Sequence, residues 1–209
     1  MIRPPRKDKS KAVKVSSVDA IPLKIPFTHG GPSIAWAGND WQALDIVLVR
    51  LETDAGLVGW GEAFSYNCRR AVVAMIEDVA GPMVLGKQLS DREQVIQELQ
   101  VQMHLWGRYG ISMFAISGID IALWDLAGKA AEQSLGQLLG GDKKKLPAYA
   151  SLLKYHAPEI VAEQTAHAMA NGYGLIKLHE STPEPVKAAR ETAGAEVPIM
   201  LDVNCAWSV

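Results

Sequence analysis

Two short apolar runs, each ending in ionisable groups, constrain the fold of this chain more than any other feature. The first is Gly174-Leu175-Ile176-Lys177-Leu178-His179-Glu180 and the second is Pro198-Ile199-Met200-Leu201-Asp202-Val203-Asn204. Runs of this length and composition read as buried strands, and strands that turn polar at their C-terminal ends form the rim of a β/α barrel. The intervening chain fits that reading. Residues 146–151 read as a short strand. Pro158 opens a helix that holds Ile160 and Val161, Gly172 ends it, and Pro183 opens another towards Ala193. The order β-α-β-α-β is that of a parallel sheet or barrel with right-handed crossovers. A closed barrel takes eight strands, and the chain reads as supplying about three before Val209.

Upstream the rhythm differs. Residues 13–27 read as a first strand, with Val13, Val15, Val18 and Ile21 roughly alternating. A loop rich in Gly, Pro and Ser follows over 28–40. Val47, Val49 and Leu51 then alternate with Leu48, Arg50 and Glu52, Asp54-Ala55-Gly56 turns the chain, and residues 57–63 return as a hairpin. Within it, Gly59-Trp60-Gly61-Glu62 suggests a close backbone approach. Three helices are expected next: a short one over 71–79 that ends before Gly81-Pro82, one opened by the capping box Ser90-Asp91-Arg92-Glu93, and one capped by Ser112. In the third, Ile116, Ile119, Leu123 and Leu126 make one apolar stripe. The expected organisation is a tail over 1–12, an α+β domain over 13–145, and the first three strands of a β/α barrel over 146–209.

Composition narrows the function classes. Among 209 residues, 48% are hydrophobic and 21% charged, as in a soluble globular protein. The net charge of −2 offers no attraction to nucleic acid or to a membrane surface. No apolar run approaches the roughly 18 residues of a membrane-spanning helix. The start of the chain is polar and basic, with no apolar segment of the kind a signal peptide needs. Cys68 and Cys205 form no disulfide framework, so a cytoplasmic location is expected. At the strand ends, an amine beside a carboxylate able to hold a metal suits proton abstraction next to another carboxylate.

The segment from Ala115 to Lys129, AISGIDIALWDLAGK, continues to LGQLLG at 135–140. It resembles the signature helix of the mandelate racemase/muconate lactonizing enzyme family, within the enolase superfamily. The hairpin segment Gly59-Trp60-Gly61-Glu62, the Lys177-Leu178-His179 strand and Asp202-Val203-Asn204 support the resemblance, which runs from about residue 13 to the last. It implies a capping α+β domain over a modified TIM barrel. It also implies removal of the proton α to a substrate carboxylate, with one divalent metal, usually Mg2+, stabilising the enediolate. The metal's charge carries much of that burden, because the α-protons of hydroxyacids are very weakly acidic. The implied substrate is a small carboxylate, a sugar acid or another 2-hydroxyacid. Dehydration is the first expectation and racemisation the second, on the ground that a polar, Gly-rich capping loop suits a hydroxylated substrate. Members are usually homo-oligomers.

The resemblance also implies roles for individual residues. Lys177 matches the first lysine of the family's Lys-x-Lys, which helps neutralise the substrate carboxylate, while His179 stands where the second lysine, usually the base, is found. Imidazole, with an intrinsic pKa of about 6.5, can be a neutral base without the depression a lysine requires. His179 is therefore either the base, a substrate or structural contact, or a bystander to Lys177 or another residue. Asp202 matches the first of three carboxylate metal ligands, and Asn204 shares its face towards metal or substrate. One carboxylate cannot hold Mg2+ tightly, so further ligands are expected on later strands. Loops 28–40 and 64–70 match the mobile capping loops that close over substrate. His29, Trp36, Tyr66 and Arg69 are candidate substrate contacts, and Arg69 or Arg70 could meet an anionic group. Asp120, Trp124 and Asp125 are read as structural, and His104, His156 and His167 as surface residues. Two rival readings remain. One is an inactive truncated fragment, whose unpaired parallel strands would associate or aggregate. The other is a non-catalytic binding module built on the capping domain.

Overall fold

The computed structural model describes residues 13–32, 35–36, 39–142 and 144–207. The basic stretch read as a tail lies outside them. The chain divides into two compact units. One takes the residues up to Pro26 and those from Ala43 to the boundary near 143, and the other takes Phe27–Gln42 and the residues from Lys144 on.

The first unit is an antiparallel sheet backed by helices. Strand β1 (Val15–Pro26) pairs with β4 (Ala43–Thr53), which pairs with β5 (Val58–Phe64), in the order β1-β4-β5. A bulge between Val15 and Ser17 shifts the phase of β1. This is why the core-facing positions pass from Val13 and Val15, which are buried, to Val18 and Ala20, which are partly buried, and why the alternation reads as only rough. The β4–β5 turn closes as expected: Gly56, at φ +75°, donates its N–H to the Thr53 carbonyl at 2.9 Å. Val47, Val49 and Leu51 are fully buried on one face.

That face receives α4 (Ile111–Ala131), whose Ile116, Ile119, Leu123 and Leu126 are buried as the apolar stripe requires. The approach of α4 to β5 is close enough to exclude side chains. A Cβ on Gly61 would meet the Gly118 carbonyl oxygen and lie 2.7 Å from the Ala122 nitrogen; one on Gly118 would lie 2.8 Å from the Ala63 Cβ. Two polar ties fix the register. Asp125 Oδ2 accepts from the Trp60 N–H at 2.8 Å, and Lys129 Nζ donates to the Val58 carbonyl at 2.8 Å and to Asp125 at 2.7 Å. Arg92 stacks over the Trp124 ring at 4.2 Å. The signature residues Trp124 and Asp125 thus fasten the helix.

Several local expectations need correction. By length and composition α4 is apolar enough to cross a membrane, contrary to the reading of the sequence; it carries Asp120, Asp125 and Lys129, and just over half of its apolar stretch is buried. The first helix does not stop before Gly81-Pro82. It begins as α1 (Arg69–Ala74), widens into a π turn (Met75–Ala80) and resumes as α2 (Gly81–Val84). Pro82, which has no N–H to offer, falls in the first turn of the resumed helix, where none is needed. Ser90 caps nothing: its hydroxyl donates to Asp91 Oδ1, and α3 (Arg92–Gln102) starts after Asp91 without a side-chain cap. Ser112 lies inside α4 and donates to the Trp106 carbonyl, while Gly110 is the N-cap. The reciprocal capping box is at Ser134 and Gln137, on the short α5 (Leu135–Leu138).

The second unit contains a parallel sheet. Its strands are β6 (Ala150–Ser151), β7 (Ile176–Leu178) and β8 (Ile199–Leu201), in that order, joined by α6 (Pro158–Ala170) and α7 (Pro183–Ala193). Strand β6 is shorter than residues 146–151 because Leu146 is exposed and Pro147 cannot donate to a ladder. Ile176 and Leu178 are buried with Val161, Ala168 and Ala189 of the helices. Strand alternation therefore puts Lys177 on the opposite face. The two-residue strands β2 (Ala35–Trp36) and β3 (Asn39–Asp40) pair with each other within 27–42.

Candidate functional site

Residue Lys177 projects from the centre of β7, and His179 follows two positions later on the same side of the chain. Asp202 stands one residue past the end of β8, where its N–H still donates to the Leu178 carbonyl at 2.9 Å. The parallel register aligns Lys177 with Met200 and Leu178 with Leu201, which brings the two polar ends together. Lys177 Nζ lies 3.3 Å from Asp202 Oδ2, and His179 Nε2 lies 3.8 Å from the same oxygen. Lys177 also faces the Tyr149 ring at 5.6 Å. Three groups chosen from strand ends in the sequence thus converge on one point of the rim.

The chemistry of each group follows from its neighbours. His179 Nδ1 lies 2.5 Å from the Leu152 carbonyl oxygen. A carbonyl can only accept, so Nδ1 carries the hydrogen and the lone pair of the neutral ring sits on Nε2, on the Asp202 side. The Asp202 carboxyl is held below its ordinary range, first by the Asn204 N–H, which donates to Oδ1 at 3.1 Å, and then by Lys177. It remains an anion at pH values where an isolated aspartate begins to protonate. Because these groups are partly open to solvent, their pairing adds little to stability, and its consequence is chemical. Asn204 adopts a left-handed conformation (φ +48°) that turns its N–H back onto Asp202.

An ionised carboxylate at a strand end fits one position in the oxygen set that Mg2+ requires. Among the described residues no group of three or more His, Cys, Asp or Glu side chains is arranged to hold a metal, so Asp202 would be one ligand of a larger set.

The remaining candidates sit elsewhere. His29 belongs to the second unit, its ring 6.3 Å from that of Tyr155 and 6.1 Å from that of Phe27. Trp36 lies in β2, its backbone paired with Asn39. Tyr66 and Arg69 belong to the first unit, on the turn after β5 and the first residue of α1. Arg69 donates to Asp45 Oδ1 at 2.8 Å and to the Leu23 carbonyl at 3.0 Å. Burial pushes the Tyr66 hydroxyl pKa up.

Sequence reasoning passed over Glu180. It is 1% exposed and accepts from the N–H groups of Tyr155 at 2.6 Å and His156 at 3.2 Å. The only signal in the sequence was an acid at a strand position whose alternation points away from the rim.

With this geometry in hand, comparison with known proteins is specific. The family model described as "Mandelate racemase / muconate lactonizing enzyme, N-terminal domain" matches residues 27–140. The chain is 35% identical to arabinonate dehydratase of Saccharolobus solfataricus over 185 residues, covering 82% of the chain and 48% of that protein. It is 32% identical to 3,6-anhydro-alpha-L-galactonate cycloisomerase of Streptomyces coelicolor over 173 residues, covering 79% and 48%. The crystal structure of a member of the enolase superfamily from Polaromonas sp. JS666 matches with a TM-score of 0.83 at 33% identity, over 93% of this chain and 53% of that one. The chain spans about half the length of the curated relatives it matches. Its antiparallel unit is the superfamily's capping domain and its parallel unit is the start of the barrel. The chain belongs to the mandelate racemase/muconate lactonizing enzyme family of the enolase superfamily.

Proposed function

We propose that the complete protein is a Mg2+-dependent enzyme that removes the proton α to the carboxylate of a sugar acid or other 2-hydroxyacid, with dehydration as its first reaction and racemisation or cycloisomerisation as the alternatives. The observation that carries this reading is the convergence of Lys177 Nζ and His179 Nε2 on Asp202 Oδ2 at the ends of two parallel strands. The names of the relatives, a sugar-acid dehydratase and a sugar-acid cycloisomerase, support the substrate class.

The proposed division of labour follows from the atoms. Asp202, kept ionised by Asn204 and Lys177, would serve as one metal ligand. Mg2+ bound there, with ligands beyond those described, would supply positive charge to the substrate carboxylate as its α-proton becomes acidic. Lys177, a fixed cation on the same face, would neutralise and orient that carboxylate. His179 would take the proton at Nε2, its ring held in the competent tautomer by the Leu152 carbonyl. The hydroxyl on the neighbouring carbon would then leave as water, carrying off the proton that His179 took, and the resulting enol would tautomerise to a 2-oxo acid.

The test is a library of aldonic and aldaric acids incubated with the full-length protein and MgCl2, with 2-oxo acid product read as its semicarbazone. Product that requires both Mg2+ and His179 supports dehydration. Exchange of the α-proton without 2-oxo acid would move the reading to racemisation. No turnover of any hydroxyacid would end it.

A further inference from the structure

We infer that Glu180 and Tyr155 are positioning residues that clamp the 27–32 segment onto the strand carrying Lys177 and His179. His179 and Glu180 follow the last residue of β7 and turn to different partners: His179 reaches Asp202 at the rim, while Glu180 reaches the backbone amides of the loop that follows β6. A carboxylate buried to this degree requires hydrogen bonds. It finds them in two successive backbone amides: Tyr155 donates to Oε1 at 2.6 Å, and His156 donates to Oε1 at 3.2 Å and Oε2 at 3.3 Å. His156 takes a left-handed conformation (φ +64°), which turns both N–H groups onto one acid in the manner of an anion-binding nest.

This fixes the place of Tyr155. Tyr155 is 5% exposed, and its hydroxyl donates to the His29 carbonyl at 2.8 Å. Gly31 lies against the ring; a Cβ there would lie 3.0 Å from Cε1 and closer still to Cδ1. From α6, Gln164 Nε2 donates to the next carbonyl, that of Gly30, at 3.2 Å. Two consecutive carbonyls of the segment are thus held by side chains of the second unit, and the acid that sets one of them is the sequence neighbour of His179. The His29 carbonyl is thus tied, through Tyr155, to the second residue past β7. In the proposed reaction this would make Tyr155 and Glu180 determinants of substrate affinity rather than of chemistry, and only that kinetic consequence rests on the proposed function.

The experiment uses the full-length protein as wild type, Tyr155→Phe, Gln164→Ala and Glu180→Gln. Each is digested with proteinase K under native conditions, and cleavage between residues 27 and 32 is located by mass spectrometry. When reclosing is fast, cleavage tracks the open population. Removing one hydrogen bond should therefore speed cleavage in that segment about five-fold in Tyr155→Phe, and comparably in Glu180→Gln, with cleavage elsewhere unchanged. Tyr155→Phe removes a single oxygen and keeps the ring, so it decides the matter even where Glu180→Gln does not fold. An unchanged rate in Tyr155→Phe overturns the clamp. With an acid that the wild type turns over, Tyr155→Phe should raise KM several-fold with kcat nearly unchanged, and equal KM values would overturn the positioning role. Absence of any turnover in the wild type would count against the proposed function and leave the proteolysis result to decide the clamp.

Discussion

Substituting Gly61 by alanine tests the account of how the signature helix meets the sheet. The added Cβ would collide with the Gly118 carbonyl and lie 2.7 Å from the Ala122 nitrogen, both backbone atoms of α4. Backbone cannot rotate aside as a side chain does, so the helix must retreat from β5. Overpacking a dense core costs about 1–3 kcal/mol, and a clash against backbone belongs at the upper end. The lower chain entropy of alanine in the unfolded state offsets this by about 0.4–1 kcal/mol. The net cost is about 2 kcal/mol, since 3 less 1 is the difference that wins. For a domain of this size that corresponds to a fall of about 4–8 °C in the thermal transition. Retreat of α4 would also lengthen the ties from Asp125 to Trp60 and from Lys129 to Val58. The assay is thermal unfolding of the full-length protein by circular dichroism, with Gly56→Ala as a control. Gly56 has open space around it and only its φ of +75° to strain, so the control should lose about 1 kcal/mol. A Gly61→Ala protein that melts with the wild type, or later than Gly56→Ala, would refute the close approach.

Other perturbations check other parts. Asp125→Ala should cost about 1 kcal/mol in urea unfolding, because the Trp60 N–H loses its acceptor, while Asp125→Asn, which keeps an acceptor oxygen, should cost less. Burial raises the Asp120 carboxyl above its ordinary 3.8, with Arg92 opposing. The folded state then holds that proton more tightly than the unfolded chain, so this group favours folding most at low pH, and its contribution falls as pH rises from 3.8 through the raised value. The melting temperature of Asp120→Asn relative to wild type should therefore climb across that window and stay level above it. Asp202→Ala in the full-length protein should weaken Mg2+ binding in calorimetry at least ten-fold, the scale on which loss of one charged ligand acts. Chelation with EDTA should abolish turnover in the wild type.

How much of this was readable from residues alone depended on how local the signal was. The β4–β5 hairpin is legible because strict alternation of Val47, Val49 and Leu51 and the Asp54-Ala55-Gly56 turn act within a dozen residues. The rim trio is legible because Lys177, His179 and Asp202 sit at strand ends whose parallel register follows from the βαβ order. The caps at Ser90 and Ser112 misled because a Ser near a helix start can bond elsewhere. Ser112 reaches the Trp106 carbonyl, a partner supplied by the preceding turn. The π turn at Met75–Ala80 has no sequence signature, and it carries the helix past a Gly-Pro pair that ordinarily stops one. Glu180 was passed over because its partners lie on residues 155 and 156, in a backbone conformation that only the folded loop creates. The contacts of His29 arise the same way, from a segment that leaves one unit to pack in the other.

The measurement that reaches the central claim most directly is α-proton exchange in D2O, followed by NMR, on sugar acids and mandelate-like hydroxyacids with the full-length protein and Mg2+. The account predicts deuterium at the α-carbon of at least one acid, lost on removal of Mg2+ and reduced by about two orders of magnitude or more in His179→Asn, which keeps the fold but loses the base. Exchange that survives in His179→Asn would take the base role from His179. Exchange that persists in the metal-free protein would contradict the account of Asp202.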